Sequence, residues 1–364
     1  MKNTFGNNVS VTLFGESHGE AIGALIDGLP AGISVNEDFI SHQLELRKPV
    51  GKISTPRKES DNFKIVSGVF NGKTTGTPLL ILIPNENKKS KDYVADYGKA
   101  RPGHADYTAF SKYNGFEDYR GGGHFSGRIT AGLVAVGAIV VDALKNKGIY
   151  IGTHIKKCAG VSDKPYEDYN DDITTLSKKK FAVLDDNAGK AMIAGIEKAA
   201  ADGDSVGGIL ETAVTGLPVG IGEPWFDSVE SVLSHALFSI PAVKGIEFGA
   251  GFSCADMLGS EVNDSYKFEN GVVVTETNNN GGINGGITNG MPVIFRCTVK
   301  PTPSISKEQN TIDFIKGENT VLSVKGRHDP CIVHRARVVV DSITAIVLCD
   351  LLSQKFGTDW LGEA

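Results

Sequence analysis

Hydrophobic and polar positions alternate along the chain with two different periods. Residues 9–15 ("VSVTLFG") alternate with a period of two, which predicts a strand, and residues 22–28 ("IGALIDG") predict its partner. Asn36 precedes a segment whose apolar residues recur at helical spacing, so we expect it to cap a helix. Two further predicted strands flank Asn71 and Gly72, a pair that favours a tight hairpin turn.

Longer periodic segments fill the rest of the chain. Long apolar helices are predicted over residues 126–146, 227–240 and 342–356, and a further helix over 188–203. Strands are predicted over residues 149–155, 207–216, 291–299 and 335–341. This order lacks the regular alternation of a doubly wound parallel sheet, so the pattern favours an α+β fold with helices packed against mostly antiparallel sheets. Because no Pro/Ser-rich linker interrupts it, we expect one continuous domain over residues 1–364 with the three long helices buried between sheets.

Composition narrows the possible functions. The chain is 40% hydrophobic and 22% charged, with a net charge of −6, which argues against sequence-independent nucleic-acid binding. Its five cysteines are scattered and never form a CxxC pair, so we expect free thiols in a reducing compartment and no metal site. We identify no signal peptide and no apolar run of membrane-span length, which together predict a cytoplasmic protein.

Five glycine- or proline-containing loops carry the candidate chemistry: residues 15–19 ("GESHG"), 101–108 ("RPGHADYT"), 118–128 ("DYRGGGHFSGR"), 278–290 ("NNNGGINGGITNG") and 325–331 ("KGRHDPC"). Taken singly, each histidine is more often a structural residue and each glycine run more often a plain turn. Several of these loops, however, place a histidine where no periodic pattern requires one. That coincidence favours a functional site.

The triple glycine at residues 121–123 raises the possibility of an anion site. Its backbone can approach a ligand closely, it leads into a helix N-terminus, and Arg128 adds a bidentate donor. The spacing fits neither a P-loop nor a dinucleotide-binding fingerprint. There is also no GxSxG motif, and Ser17 and His18 are chain neighbours, a poor arrangement for a nucleophile and its base.

Taken in order, these motifs resemble the chorismate synthase family. The resemblance is carried by "FGESHG", "RPGHADYT", "DYRGGG", "DGDSVGG", "SIPAVKGIEFGAGF", "GGINGGITNGMP", "KPTPSI" and "GRHDPC", and it covers essentially the whole chain. It implies a lyase of the shikimate pathway to aromatic amino acids. Such an enzyme converts 5-enolpyruvylshikimate 3-phosphate to chorismate and phosphate by 1,4-anti elimination, and it requires reduced FMN. The resemblance also implies a β-α-β sandwich fold and a homotetramer.

The resemblance further assigns roles to individual residues. His18 corresponds to a histidine that contacts the substrate, and His104 to the one that protonates reduced flavin or the departing phosphate. Asp329 corresponds to the acid that assists removal of the C6 proton together with flavin N5. The implied substrate-binding residues are Ser17, Arg47, Arg128 and Arg327. The implied FMN-binding residues are His124, Phe125, Ser126, Pro241, Ala242, Gly285, Lys300, Pro301, Thr302, Pro303, Ser304 and Arg327.

Arg47 and Lys52 fall where the family is assigned a nicotinamide or anion contact, so NADPH is a possible source of reducing equivalents. We see no appended reductase segment, which favours an enzyme that takes reduced FMN from another source. The substrate and FMN are polyanions, and their binding would account for a cluster of cations and glycine loops in an acidic protein.

The chain also departs from the usual family pattern. It has "GGGHFSGRIT" where most members have "GGGRSSARET", so His124, Phe125 and Ile129 replace an arginine, a serine and a glutamate. Pro241 replaces a frequent asparagine, and His334 and Arg335 stand where "PRA" is usual. Two other interpretations remain open: a phosphate-handling transferase or phosphatase without flavin, and a flavin- or nucleotide-binding module without catalysis.

Overall fold

The structure is a computed structural model that describes residues 3–55, 60–86, 97–324 and 329–362. Its strands are β1 (Thr4–Phe5), β2 (Ser10–Gly15), β3 (Ala21–Asp27), β4 (Ala31–Ser34), β5 (Lys64–Ser67), β6 (Val69–Phe70), β7 (Lys73–Thr75), β8 (Leu79–Pro84), β9 (Tyr150–Cys158), β10 (Val161–Ser162), β11 (Gly208–Thr215), β12 (Val243–Phe248), β13 (Tyr266–Glu269), β14 (Val272–Thr275), β15 (Ile283–Asn284), β16 (Ile287–Thr288), β17 (Val293–Val299), β18 (Gln309–Asp313) and β19 (Glu318–Leu322). The helices are α1 (Glu37–Arg47), α2 (Asp106–Tyr113), α3 (Thr130–Asn146), α4 (Tyr169–Leu176), α5 (Asp186–Ala201), α6 (Val229–Leu237), α7 (Gly259–Val262) and α8 (Val333–Phe356).

Two five-stranded sheets form the outer layers. The first has the order β1-β2-β3-β8-β5 and the second the order β10-β9-β11-β17-β12, and every pairing in both is antiparallel. The predicted strands over residues 9–15 and 22–28 are confirmed as β2 and β3, which pair with Ser10 opposite Asp27. The predicted Asn71-Gly72 turn joins β6 and β7, while β8 returns to the first sheet beside β3 and β5.

Helices α3 and α8 fill the space between the sheets. Helix α3 packs on β3 and β8, α8 packs on β9 and β11, and the two helices pack on each other. The contacts are close: a Cβ added to Gly132 would lie 2.6 Å from the carbonyl carbon of Gly23, and one added to Gly137 would lie 2.5 Å from the Cβ of Ser342. One hydrophobic cluster includes residues of both sheets and both helices. The predicted α+β sandwich of helices between antiparallel sheets is thus confirmed.

The predicted strand over residues 335–341 is wrong. These residues form the first part of α8, which runs unbroken from Val333 to Phe356. Residues Val338 to Val340 are β-branched and favour a strand locally, but burial of nearly the whole helix overrides that preference. The helical period is visible in the polar residues instead. Arg337 and Asp341 lie one helical turn apart, and Nη1 of Arg337 is 3.3 Å from Oδ2 of Asp341.

The helix predicted over residues 126–146 begins later than expected. Residues Gly127–Ile129 form a 3₁₀ turn before it. The Ser126 side chain caps this turn by accepting a hydrogen bond from the backbone N–H of Arg128 at 3.2 Å. The helix predicted over 227–240 is shorter, and as α6 it packs against α8 and the edge strand β12. Its His235 ring also packs edge-on against Phe5 of β1 at 5.3 Å, so α6 contacts an edge strand of each sheet.

Helix α3 and its 3₁₀ turn, residues Gly127–Asn146, are long and apolar enough to cross a membrane by length and composition alone. The prediction that no segment reaches this length is therefore wrong. However, 78% of the apolar window is buried inside the molecule. The same composition is expected of a central helix that is covered on both sides by sheets.

Candidate active site

A cavity of about 820 Å³ opens between the N-terminal turn of α3, the loop before α2, the start of β12 and the loop before α8. This volume lies in the upper part of the range for small-molecule sites. The lining includes thirteen of the residues assigned from the sequence: Arg47, His104, His124, Phe125, Ser126, Arg128, Pro241, Ala242, Lys300, Thr302, Pro303, Ser304 and Asp329. These residues are up to 282 positions apart in the sequence, between Arg47 and Asp329, so the fold itself brings them together.

Gly121 lines the cavity, and the triple glycine that it begins, here called the glycine wall, lies against two histidines. Gly121, Gly122 and Gly123 all have positive φ, at 60°, 83° and 51°. A Cβ on Gly121 would lie 2.3 Å from Cε1 of His18, and one on Gly122 would lie 3.3 Å from Cε1 of His104. Only glycine combines this backbone conformation with so close an approach.

His18 and Ser17 lie beneath this wall rather than in the cavity lining. Both are buried, and the Ser17 hydroxyl lies 3.0 Å from Nδ1 of His18. The same hydroxyl lies 3.1 and 3.0 Å from the carbonyl oxygens of Arg120 and Gly121. Because a hydroxyl has a single proton, donation to either carbonyl leaves its oxygen to accept from His18 Nδ1–H. Ser17 is therefore tied into the turn, and the two neighbours do contact each other.

His104 is linked to a carboxylate two residues further along the chain. Its Nδ1 lies 2.7 Å from Oδ1 of Asp106, which also accepts from Nη2 of Arg101 at 2.7 Å. Arg101 donates Nε to the other oxygen at 2.8 Å. Burial alone would raise the pKa of Asp106, but Arg101 and His104 bring it well below its usual value. Asp106 is therefore ionised at neutral pH.

Arg47 and Arg128 share one buried carboxylate, that of Asp61. Arg128 forms a hydrogen bond with Asp61 through Nη1 and with Asn85 through Nε at 3.1 Å, while Nη1 of Arg47 lies 3.6 Å from Asp61. Burial would raise the pKa of Asp61, but the charges of Arg47 and Arg128 hold it below its usual value. Arg47 also donates to Thr130 Oγ1 and to the carbonyl of Gly127, both at 3.1 Å. Both arginines thus have internal contacts where they reach the cavity.

Asp329 connects the loop before α8 to the segment after α1. Its Oδ1 accepts from the backbone N–H of Thr55 at 2.7 Å, and its Oδ2 forms an ion pair with Arg335 at 2.6 Å. Arg335 in turn donates Nε to the carbonyl of Arg47 at 2.9 Å. The Asp329 side chain remains 17% exposed and lines the cavity, so it is held in place and still accessible.

Two lysines, Lys300 and Lys244, give the opposite side of the cavity its positive charge. Burial and the charge of Lys244 lower the pKa of Lys300, whose ammonium forms a hydrogen bond with the carbonyl of Gly103. Ala242, whose carbonyl accepts from the Lys300 N–H at 2.9 Å, also lines the cavity, and its φ of +74° is unusual for a residue with a side chain. Such strained positions are concentrated at functional sites.

Two of the residues that depart from the family pattern, His124 and Phe125, line the cavity. His124 donates Nδ1–H to the carbonyl of Gly15 at 2.8 Å, because a carbonyl can only accept. Phe125 is 39% exposed and packs edge-on against Tyr113, with ring centroids 6.1 Å apart. These side chains thus have contacts of their own within the protein.

Besides Ser17 and His18, three assigned residues that the structure describes lie outside this cavity lining: Lys52, Gly285 and Pro301. Lys52 lies exposed in the 3₁₀ turn Gly51–Ile53, and Gly285 lies in the turn between β15 and β16. Pro301 is exposed beside the lining residues Lys300 and Thr302, and Arg327 lies outside the described residues.

The residues missed by the sequence analysis are those that hold the others: Asp61, Asn85, Arg101, Asp106 and Lys244. Asp106 could have been identified from the sequence, because "RPGHADYT" places an acid two residues after the histidine. Asp61 gave no signal, since it lies in no motif and has its partners 14 and 67 positions away along the chain.

A cavity of this kind, lined by an imidazole, a carboxylate and several cations at element ends, is typical of enzymes that act on small anionic molecules. The comparisons with known proteins identify the family. A sequence model of chorismate synthase matches residues 9–353. The chain therefore belongs to the chorismate synthase family.

Individual relatives agree along almost the whole length. The chain is 49% identical over 350 residues to a chorismate synthase of Chitinophaga pinensis, with 96% of both chains covered. It is 47% identical over 352 residues to one of Dehalococcoides mccartyi, again with 96% of each covered. A crystal structure of chorismate synthase superposes with a TM-score of 0.77 at 28% identity, covering 97% of this chain and 94% of the other.

Proposed function

We propose that this protein converts 5-enolpyruvylshikimate 3-phosphate to chorismate and phosphate, with reduced FMN as cofactor. The observation that carries the proposal is the meeting of His104, Asp329 and Lys300 around one cavity in a chain of this family. The substrate carries two carboxylates and a phosphate. An acidic protein needs a local group of cations to bind it, and Lys300, Lys244 and Arg335 supply one.

The cavity fits a flavin in size and chemistry. Its volume of about 820 Å³ is enough for two small molecules side by side. Thr302 lines it with a buried hydroxyl that has no hydrogen-bond partner among the described residues, which is the kind of atom a ligand satisfies. We infer that FMN is held by the segment Thr302–Ser304, by Ala242 and by Phe125. When bound, reduced FMN would supply the electron-rich ring that the elimination requires without net oxidation.

The protein's own groups would divide the remaining work. Asp329, fixed by Thr55 and Arg335, would assist removal of the substrate ring proton. His104, which lines the same cavity, would supply a proton as a general acid. Lys300 and Lys244 would bind the anionic groups, and the glycine wall would exclude water from that side.

The deciding experiment is an anaerobic assay of chorismate formation with reduced FMN, paired with a titration of oxidised FMN followed by flavin absorbance. We expect chorismate to form, and the flavin spectrum to change further when substrate is added. A transferase or phosphatase without flavin would leave the flavin spectrum unchanged. A non-catalytic binding module would change it regardless of substrate and form no chorismate.

We further propose that the protein takes reduced FMN from another source rather than from NADPH. Among the residues assigned a nicotinamide contact, Lys52 is exposed outside the cavity lining and Arg47 is buried with Asp61. NADPH consumption by the purified protein with FMN should therefore not exceed the background rate. We also propose a single domain over residues 1–364, a homotetrameric assembly and a cytoplasmic location.

A further inference from the structure

A carboxylate lies behind His104 on the side away from the cavity. Asp106 is the first residue of α2, and its Oδ1 is 2.7 Å from Nδ1 of His104. His104 lines the cavity and Asp106 does not. The histidine is thus held through Nδ1 by a residue outside the lining, while its own side chain lines the cavity.

Arg101 holds this carboxylate from three directions. Its backbone N–H and Nε donate to Oδ2 of Asp106 at 3.0 and 2.8 Å, and its Nη2 donates to Oδ1 at 2.7 Å. Nη2 of Arg101 also lies 3.1 Å from Nδ1 of His104. A guanidinium only donates, so a hydrogen bond between Nη2 of Arg101 and Nδ1 of His104 would require Nδ1 to be unprotonated. The contact of Nδ1 with the Asp106 carboxylate is shorter and charge-assisted, and an ionised carboxylate only accepts. We therefore expect Nδ1 of His104 to carry a proton and donate it to Asp106.

The Nε2 edge of His104 faces the glycine wall. A Cβ on Gly122 would lie 3.4 Å from Nε2, and the φ of 83° at this position also disfavours any other residue. The turn that carries His104 is joined to the segment expected to hold the cofactor, because Lys300 contacts the Gly103 carbonyl and Arg101 Nη1 lies 3.4 Å from the Ser304 hydroxyl. Asp106, Arg101 and this segment together fix the position of the ring.

We propose that Asp106 is a positioning residue: held by Arg101, it keeps a proton on Nδ1 of His104, so that Nε2 is the nitrogen that gains or loses a proton at the cavity. The catalytic half of this inference rests on the proposed function, in which His104 supplies a proton. The tautomer itself does not depend on that function and can be measured separately.

The informative variant is Asp106→Asn, which keeps the size of the side chain. In the wild type, the backbone N–H and Nε of Arg101 both donate to Oδ2. We expect the single amide oxygen of the asparagine to take the place of Oδ2, where it accepts from both donors. Its NH₂ group then faces Nδ1 of His104 as a donor, so the imidazole must accept there and carry its proton on Nε2. An analogous Asp→Asn change in serine proteases leaves the geometry intact and costs about 10⁴ in turnover through the wrong tautomer.

The readout is a long-range ¹H–¹⁵N spectrum of histidine-labelled protein, with His104 assigned from the signals lost in His104→Gln. We expect protonated Nδ1 in the wild type and in Asp106→Glu, and protonated Nε2 with unprotonated Nδ1 in Asp106→Asn. Single-turnover chorismate formation should fall about 10²–10⁴-fold in Asp106→Asn and be partly restored in Asp106→Glu. The matched control is Asp186→Asn, which breaks an exposed ion pair with Lys179 far along the chain and should change neither readout.

The outcomes separate the two ideas. A neutral His104 with its proton on Nε2 in the wild type, or an unchanged tautomer in Asp106→Asn, would overturn the proposal, and the wild-type spectrum decides even if the variant fails to fold. A switched tautomer with normal turnover would overturn the catalytic half. Loss of chorismate formation in the wild type would instead defeat the proposed function and leave the tautomer result standing.

Discussion

Asp329 has two contacts that a structural carboxylate could make, with the Thr55 N–H and with Arg335. Its side chain is nevertheless 17% exposed and lines the cavity, as expected of a group that meets a ligand. Asp329→Asn keeps an oxygen for the Thr55 N–H but removes the negative charge. If Asp329 acts as a base, turnover should fall by about 10²–10⁴ while FMN and substrate still bind. Single-turnover kinetics with pre-reduced FMN, together with a thermal melt, measure this. Near-normal turnover would show that Asp329 only anchors the loop before α8.

Asp61 is the residue on which the buried arginines depend. Asp61→Asn would leave Arg47 and Arg128 without their shared charge, and breaking a buried ion pair from one side costs about 3–5 kcal/mol in the free energy of unfolding. Denaturant unfolding of the variant at pH 7 measures this loss. The exposed pair of Asp186 and Lys179 provides the control, because Asp186→Asn should change unfolding little.

The same residue predicts a pH dependence. The pKa of Asp61 is lower in the folded protein than the value of about 3.9 expected for an unfolded chain. Its contribution to stability is therefore complete above about pH 4 and is lost as the pH falls through the folded-state pKa. Acidification below about pH 4 should thus lower the free energy of unfolding of the wild type more than that of Asp61→Asn. Parallel curves for the two proteins would contradict the assignment.

At the scale of single residues, the sequence revealed the groups that face the cavity better than the groups that hold them. His104 and Asp329 lie in turns with glycine or proline, where no periodic pattern explains them. Asp61 lies in no motif, and its importance depends on partners that only the folded chain brings near. The contact of Asp329 with the Thr55 N–H is similarly invisible, because it joins positions 274 residues apart.

Among the elements, α8 shows most clearly why a periodic pattern can mislead. Nearly all of its residues are buried, so it has no apolar stripe with a polar face opposite. Its helical period is carried by inward polar groups, among them Arg337 and Asp341, and the Asp341 side chain also accepts from Thr153 on β9 at 2.6 Å. Burial raises the pKa of Asp341 to about 6. A search for apolar periodicity alone could not detect this arrangement.

The crossing of α3 and α8 predicts a severe effect of one methyl group. Gly137→Ala places a Cβ 2.5 Å from the Cβ of Ser342 and 2.9 Å from its Cα, so one helix must shift. Overpacking of this kind costs typically about 1–3 kcal/mol, which exceeds the gain of up to about 1 kcal/mol from replacing a helical glycine. Thermal and denaturant unfolding should both show the loss.

The matched control for that crossing is Gly259→Ala. Gly259 is also helical, at the start of α7, but an added Cβ meets nothing within 4 Å. This variant should be as stable as the wild type or slightly more so. Equal stability of Gly137→Ala and Gly259→Ala would mean that the two central helices are less closely packed than the structure indicates.

On the scale of the whole molecule, several large apolar side chains remain on the surface of the single chain. Phe226 is 90% exposed, Phe268 82% and Phe252 81%. Phe268 lies on the hairpin of β13 and β14, and an isolated two-stranded hairpin is marginally stable in water. Large exposed apolar areas often mark protein–protein interfaces. We therefore expect this hairpin to be covered in the proposed homotetramer.

Phe268→Glu tests that expectation, because it places a charge where the proposed interface would exclude water. Light scattering should give a tetramer for the wild type at micromolar concentration and smaller species for the variant. The control is Lys267→Glu, which adds a glutamate to the same strand on its other face and should leave the assembly intact. A stable wild-type monomer would contradict the tetramer itself. A tetrameric Phe268→Glu would instead place the interface elsewhere and leave the hairpin exposed.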